Sequence, residues 1–269
     1  MITISSRHNP FVQQCRDLAR KRDSQTGAVL LDGLHLLSDA LASGVPVTAA
    51  AAPEAFWQSP VGAPLAGALA SGGAILYAAS PAVLQAASPV KAPTGIVAIA
   101  RWIPADVGAV LAAQPALIVC AVHVQDPGNT GAIIRAADAA GATGVITTAG
   151  SADPFGWKAL RGSMGSAFRL PVAAGAQVDA VCREARERGV RVVSTSPSGG
   201  RSLHDVDLAS PVLILVGGEG AGLPGHLQAS ADVLVTIPMR QPVESLNVAV
   251  AAAVMLYEAY RQRHADARP

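Results

Sequence analysis

The sequence predicts an α/β protein of two lobes, the second built on a parallel sheet, and three observations carry that prediction. Strand-like runs alternate with helix-like stretches along most of the 269 residues, the pattern of sheets covered by helices. The strands of the second half, Leu117-Ile118-Val119, Leu213-Ile214-Leu215-Val216 and Val233-Leu234-Val235, are continuously apolar, as expected where helices bury both faces of a parallel sheet. Hydrophobic residues make up 51% and charged residues 14%, which excludes a disordered chain and provides core for one large or two medium domains.

The first predicted element is a helix over residues 10–22, with Phe11, Cys15 and Leu18 as its inward stripe and Arg16, Arg20, Lys21 and Arg22 outside it. With Arg7, these bases stand against the single acid Asp17 in residues 1–22, a local charge of +4. Taken alone, that pattern fits either a solvated helix face or a phosphate-contacting arm. An apolar run at 28–31 follows, then a helix at 34–41 closed by Gly44 and strands at 45–49, 74–77 and 95–100. Arg101-Trp102-Ile103-Pro104 breaks the pattern, so we expect a first domain over residues 1–100, a linker over 101–113 and a second domain over 114–269. In the second domain we expect strands at 116–122, 143–147, 190–194, 212–216 and 233–237. Helices are expected there at 129–140, 176–188 and 244–263. Ligands of such sheets bind at the loops leaving the carboxyl ends of the strands.

Several functions are disfavoured. The net charge is +1, from 20 basic and 19 acidic residues, so any basic surface must be local. Cys15, Cys120 and Cys182 are scattered and form no CxxC pair, which predicts no disulfide framework, no metal site and a reducing, cytoplasmic setting. The longest apolar run, 248–256, is far below the ~18 residues of a membrane span, and the polar start is unlike a signal peptide. Gly220-x-Gly222-x-x-Gly225 matches a dinucleotide-binding string. The next strand begins too soon for a crossover helix, however, and there is no P-loop.

Three loops carry the chemistry instead. In His123-Val124-Gln125-Asp126-Pro127-Gly128-Asn129-Thr130-Gly131, Asn129 is placed to cap the next helix and Arg135 to lie in its first two turns. An arginine there opposes the helix dipole, which suggests an anionic partner. His123 reads as a core residue at a strand end. The second loop, from Val216 through Gly217, Gly218, Glu219, Gly220 and Gly222 to Leu223, surrounds one carboxylate with glycines directly after a buried strand, which permits close backbone approach to a ligand. The third runs from Ile237 through Pro238, Met239, Pro242 and Glu244 to Ser245, Leu246 and Asn247 at the start of the last helix, where free N–H groups can hold an anion.

These residues resemble the SpoU/TrmH family of RNA 2′-O-ribose methyltransferases, in the SPOUT superfamily. The resemblance rests on Asn129-x-Gly131 with Arg135, on Gly217-Gly218-Glu219-Gly220-x-Gly222-Leu223, and on Ile237-Pro238-Met239 followed by Glu244-Ser245-Leu246-Asn247-Val248-Ala249. Ile4 to Pro10, Leu31-Asp32-Gly33-Leu34-His35 and Thr94-Gly95-Ile96-Val97 are similar to the substrate-binding domain of many members, whereas residues 50–93 carry no such motif. The resemblance implies a catalytic domain with a deep trefoil knot, S-adenosylmethionine as cofactor, structured ribosomal or transfer RNA as substrate, and a homodimer. It implies cofactor contacts at the backbone of Gly217, Ile237 and Leu246, with Thr195 and Ser196 as further candidates. It implies Arg135 as the residue that activates the ribose hydroxyl, with Asn129, Glu219, Ser245 and Asn247 shaping the site, and Arg161 and Ser163 in a further family segment. Arg7, Arg16, Arg20, Lys21, Arg22 and Arg161 are the expected RNA contacts. The alternative is an RNA-binding or assembly protein on the same scaffold that has lost catalysis; the presence of all five motif residues disfavours it.

Overall fold

The computed structural model describes residues 1–220 and 222–265; Ala221 in the glycine loop and the last four positions of the expected second domain lie outside the described residues. The elements in chain order begin with β1 (Ile2–Ile4), α1 (Pro10–Arg20), β2 (Ala28–Asp32), α2 (Leu34–Ala42), β3 (Val47–Ala52), α3 (Glu54–Trp57), α4 (Gly62–Ser71), β4 (Ile75–Ala79), α5 (Pro81–Ala87) and β5 (Val97–Arg101). They continue with α6 (Val107–Leu111), β6 (Leu117–Val122), α7 (Pro127–Ala139), β7 (Gly144–Thr148), α8 (Trp157–Ser163), α9 (Ser166–Arg169), β8 (Val172–Ala176) and α10 (Val178–Glu187). The last are β9 (Arg191–Thr195), β10 (Arg201–Ser202), β11 (Val212–Gly217), α11 (Gly225–Ser230), β12 (Val233–Thr236) and α12 (Val248–Arg263). Two compact units result: Met1–Ile103 with Phe155–Phe168, and Pro104–Pro154 with Arg169–Pro269.

The first unit holds a five-stranded sheet in the order β1-β4-β3-β5-β2. Its β5 runs antiparallel to both β2 and β3, and the other pairs are parallel. Asn9 caps α1 by accepting the Phe11 N–H at 2.9 Å, and Pro10 opens the helix, where its missing N–H costs nothing. The stripe Phe11, Val12, Cys15 and Leu18 then packs on Leu30, Ala51 and Ile99. Burial and the nearby Asp32 charge push the Cys15 thiol up, so it behaves as a small hydrophobe. Phe155 and Phe168 are buried in this unit, their rings 6.4 and 5.3 Å from that of Trp102.

The second unit is a seven-stranded sheet in the order β10-β12-β9-β11-β6-β7-β8, and every pairing is parallel. All six residues of β6 are buried, which explains the unbroken apolar run. The structure departs from the sequence expectations in several elements. Strand β8, Val-Ala-Ala-Gly-Ala, has only one β-branched residue, so no strand signal marked it. The expected linker contains α6, capped by Asp106, whose carboxylate accepts the Gly108 N–H at 2.8 Å. A short helix, α11, does fit between β11 and β12, two strands separated by β9. The last helix starts at Val248 rather than 244.

Candidate active site

Because the strands are parallel, β12, β9, β11 and β6, neighbours in the sheet, present their carboxyl ends along one edge. The loop after β11 folds tightly there. The Gly218 N–H donates to Val122 O at 2.9 Å, and a side chain on Gly218 would bring its Cβ to 2.1 Å from His123 O. On Gly217 the Cβ would stand 2.3 Å from backbone atoms of Gly222 and Leu223. Both glycines are therefore obligatory for close backbone approach. His123 is exposed with φ of +51°, so it is not the core residue the sequence suggested. A non-glycine residue in that region is strained, and the His123 N–H is held by Thr148 Oγ1 at 3.1 Å.

Beside this loop lies a cavity of about 510 Å³, within the roughly 300–1,000 Å³ of small-molecule sites. Gly217, Ile237, Leu246, Thr195 and Ser196 all line it, as do Glu219, Ser245 and Asn247. The hydroxyl protons of Thr195 and Ser196 are donated to Leu215 O at 3.0 Å and Ser198 O at 2.7 Å, so toward a ligand either oxygen can act only as an acceptor. Sequence reasoning missed Met239 and Gln228 as lining residues. Met239 stood in a quoted motif, but nothing in the sequence marks Gln228, which donates to Leu223 O at 2.9 Å.

Three motif side chains form one network. Asn129 Nδ2 donates to the Glu219 carboxylate, and Asn247 Nδ2 donates to Asn129 Oδ1 at 3.1 Å. Asn247 also caps α12, its Oδ1 accepting the N–H groups of Ala249 and Val250 at 2.9 and 3.3 Å. The expected cap of α7 is corrected: Asp126 fills it, accepting the Asn129 N–H at 2.8 Å, with Pro127 as the first helical residue. Asn129 is thereby inside the helix, its side chain free to reach the neighbouring loops. The same shift puts Arg135 in the third turn of α7, where the dipole argument for an anionic partner no longer applies. Arg135 is exposed and makes no hydrogen bond or ion pair among the described residues. Ser245 lies in the loop before α12 rather than in the helix.

The cavity suits a sulfonium cofactor. Glu219 is the one charged residue among its described lining residues, and Val216, Leu223, Ile237, Met239 and Val248 supply apolar wall. A single carboxylate in an otherwise neutral, partly apolar site favours a cationic ligand over an anionic one. Among the described residues, no group of His, Cys, Asp and Glu could hold a metal ion, and no helix is long and apolar enough to cross a membrane.

The six expected RNA-contacting residues all lie in the first unit, in differing states. Arg7, Arg20, Lys21 and Arg161 are exposed. Arg16 is half-buried and donates from Nε to Ala86 O at 3.0 Å. The Arg22 guanidinium sits 5.5 Å from the Phe155 ring centroid. Ser163 is buried, its hydroxyl donating to Leu160 O at 2.9 Å.

Comparison with known proteins agrees with this geometry. Residues 116–257 match the SpoU rRNA Methylase family and residues 9–98 the MRM3-like substrate binding domain. The chain is 35% identical to an uncharacterized tRNA/rRNA methyltransferase of Synechocystis, over 99% of this chain and 96% of that one. It is 32% identical to the 23S rRNA (guanosine(2553)-2′-O)-methyltransferase of Bacillus subtilis, over 96% and 98% of the two chains. The crystal structure of an AdoMet-bound rRNA methyltransferase from Sinorhizobium meliloti superposes with a TM-score of 0.85 at 32% identity, covering 96% of this chain and 97% of that one. With the motifs gathered at one sheet edge and a family match spanning that sheet, the chain belongs to the SpoU rRNA methylase family.

Proposed function

We propose that the protein transfers a methyl group from S-adenosylmethionine to a ribose 2′-hydroxyl of ribosomal or transfer RNA. The observation that carries this is the cavity at the carboxyl edge of the parallel sheet, lined by Gly217, Ile237 and Leu246 and bordered by the Glu219–Asn129–Asn247 network. When bound, S-adenosylmethionine supplies an electrophilic methyl on a cationic sulfur. Backbone groups at Gly217, Ile237 and Leu246 hold the adenosyl part, with Thr195 and Ser196 as acceptors. Glu219, fixed by Asn129, provides the negative charge that favours a cationic ligand, and Ser245 offers a hydroxyl at the cavity wall. Arg135 orients the nucleotide and stabilises charge developing on the ribose oxygen. A guanidinium hardly ever deprotonates in proteins, so the hydroxyl proton passes to a phosphate oxygen of the RNA as the ribose oxygen takes the methyl and the bond from that methyl to sulfur breaks.

In this proposal the first domain holds RNA and the second performs catalysis as a trefoil-knotted homodimer in the cytoplasm. Support for the knot is the order of the sheet: β11 enters between β6 and β9, strands laid down before it. Support for the dimer is the apolar surface of α12, where Val250, Tyr257 and Tyr260 are exposed. The test is mapping of ribose methylation in total RNA from cells with and without the gene, together with transfer of labelled methyl to that RNA by the purified protein. Loss of one or more 2′-O-methyl sites, restored by the wild-type gene and by purified protein, is expected. Identical maps and no transfer would refute the assignment.

A further inference from the structure

The first unit contains a second cavity, of about 450 Å³, whose walls include Arg16, Arg20, Ser88, Trp157 and Lys158. Among the described residues that line it, three are cations and none is a carboxylate. In a chain of net charge +1, this is a local concentration of positive charge, the footprint of a polyanion site.

The groove is built rather than accidental. Trp157 Nε1 donates to Ala19 O at 3.0 Å, which fixes the indole against α1. The Lys158 ammonium stands 5.5 Å from the centroid of that ring, within cation–π range, so its charge is held at the groove wall. Arg16 is anchored through Nε on Ala86 O at 3.0 Å, leaving its terminal nitrogens available. Arg20 is exposed and makes no hydrogen bond or ion pair among the described residues. Ser88, also in the lining, donates its hydroxyl to Asp32 at 2.6 Å, and that carboxylate feels Arg161 as well. Asp17, the acid of α1, follows Arg16 by one residue, about 100° round the helix.

We infer that this groove binds backbone phosphates of the RNA, and that Lys158, from the sequence between β7 and β8, completes a site begun by Arg16 and Arg20 on α1. The inference rests on the reading of the protein as an RNA methyltransferase and adds where the first unit grips its substrate. The groove holds charge without a base-sized free aromatic face, since the Trp157 ring already carries Lys158. Binding here is therefore sequence-independent, fixing position rather than choosing the target.

The test uses the full chain and a fluorescein-labelled, mixed-sequence single-stranded RNA of about 20 nucleotides, comparable to the site sizes of single-strand binders. Anisotropy gives Kd at 50 and 200 mM KCl for wild type, for Arg20→Gln with Lys158→Gln, and for the charge-conserving pair Arg20→Lys with Lys158→Arg. Two lost phosphate contacts at about 0.7 in slope each predict that the fourfold salt increase weakens the wild type about sevenfold more than the glutamine pair. The charge-conserving pair keeps the wild-type slope. Calorimetric affinity for S-adenosylmethionine stays within twofold throughout, and an unchanged near-ultraviolet circular dichroism spectrum, to which all three tryptophans contribute from the first unit, shows that this unit folds in the variants. An unchanged salt slope in the glutamine pair, with RNA still bound, overturns the groove while leaving methyl transfer standing. No RNA binding by the wild type at 50 mM salt also overturns it, whereas failure of the methyl-transfer assay strikes the catalytic assignment separately. Loss of labelled-polyglutamate binding, but not of RNA binding, in the glutamine pair would identify an acidic polypeptide as the ligand and overturn the RNA assignment.

Discussion

Replacing Gly218 by alanine tests the link between backbone packing and cofactor binding. The new Cβ would lie 2.1 Å from His123 O and 2.8 Å from His123 C, about 1.4 and about 0.7 Å inside an ordinary van der Waals contact of about 3.5 Å. Neither atom belongs to a flexible side chain. His123 cannot easily withdraw, because its φ of +51° is already strained and its N–H is held by Thr148. Relief must come from moving the end of β11 away from β6, which breaks the Gly218 N–H bond to Val122 O. Overpacking of this kind costs roughly 1–3 kcal/mol and the lost hydrogen bond about 1 kcal/mol more. A loss of about 3 kcal/mol lowers the Tm of a unit this size by about 6–12 °C. The displaced loop includes Glu219 and the cavity glycines, so affinity for S-adenosylmethionine should fall at least tenfold. Differential scanning calorimetry with and without cofactor reads the first effect and isothermal titration the second. Alanine at Gly220 is the control: nothing lies within 4 Å of its Cβ, so only its φ of +88° is strained. If Gly218→Ala kept wild-type Tm and cofactor affinity, the close approach would not be what holds this loop.

Arg135→Ala should lower turnover by about 10²–10³-fold with S-adenosylmethionine affinity within twofold, because Arg135 does not line the cavity; Arg135→Lys separates plain charge from guanidinium geometry, and wild-type turnover in Arg135→Ala would remove it from the site. On α12, Glu258 accepts Arg261 at 2.9 and 2.7 Å and Gln262 at 2.8 Å, and the Arg261 hydrogen bonds hold its carboxyl below the ordinary value. That stabilisation is complete above the ordinary Glu value of about 4.3 and is lost as pH falls through the depressed one; Glu258→Gln should therefore cost stability in urea melts at pH 7 and progressively less below pH 4. A fragment of residues 104–269 keeps every cavity residue but strips Phe155 and Phe168 of the Trp102 ring, so it should bind a hydrophobic dye strongly, and polar replacements at both positions should reduce that binding; a fragment with no more dye binding than the full chain would contradict this packing.

Five strands of the second unit, β6, β7, β9, β11 and β12, were legible because burial on both faces demands unbroken runs such as Leu213 to Val216. The glycine loop beside the cavity was legible because close backbone approach leaves a string of glycines in the sequence. Strands β1 and β8 were not, one being three residues long and the other made mostly of alanine and glycine. The start of α7 was misplaced because Asp126-Pro127 reads as a strand breaker, although proline suits the first helical position equally well. That error hid why Asn129 reaches Glu219. The groove at Lys158 could not be read at all, since its anchoring bond joins Trp157 to Ala19 across 138 residues.

The first unit draws its last helical piece, Phe155–Phe168, from the far side of β6, α7 and β7. A ribosome making this chain has delivered the whole of the family-matched substrate-binding segment, residues 9–98, long before the partners of Trp102 and Ala19 exist. The nascent lobe must wait with an incomplete core while two strands of the catalytic sheet emerge. Assembly of the two units is thus interleaved in time, and a graft of the substrate-binding lobe onto another enzyme would have to carry both pieces of chain.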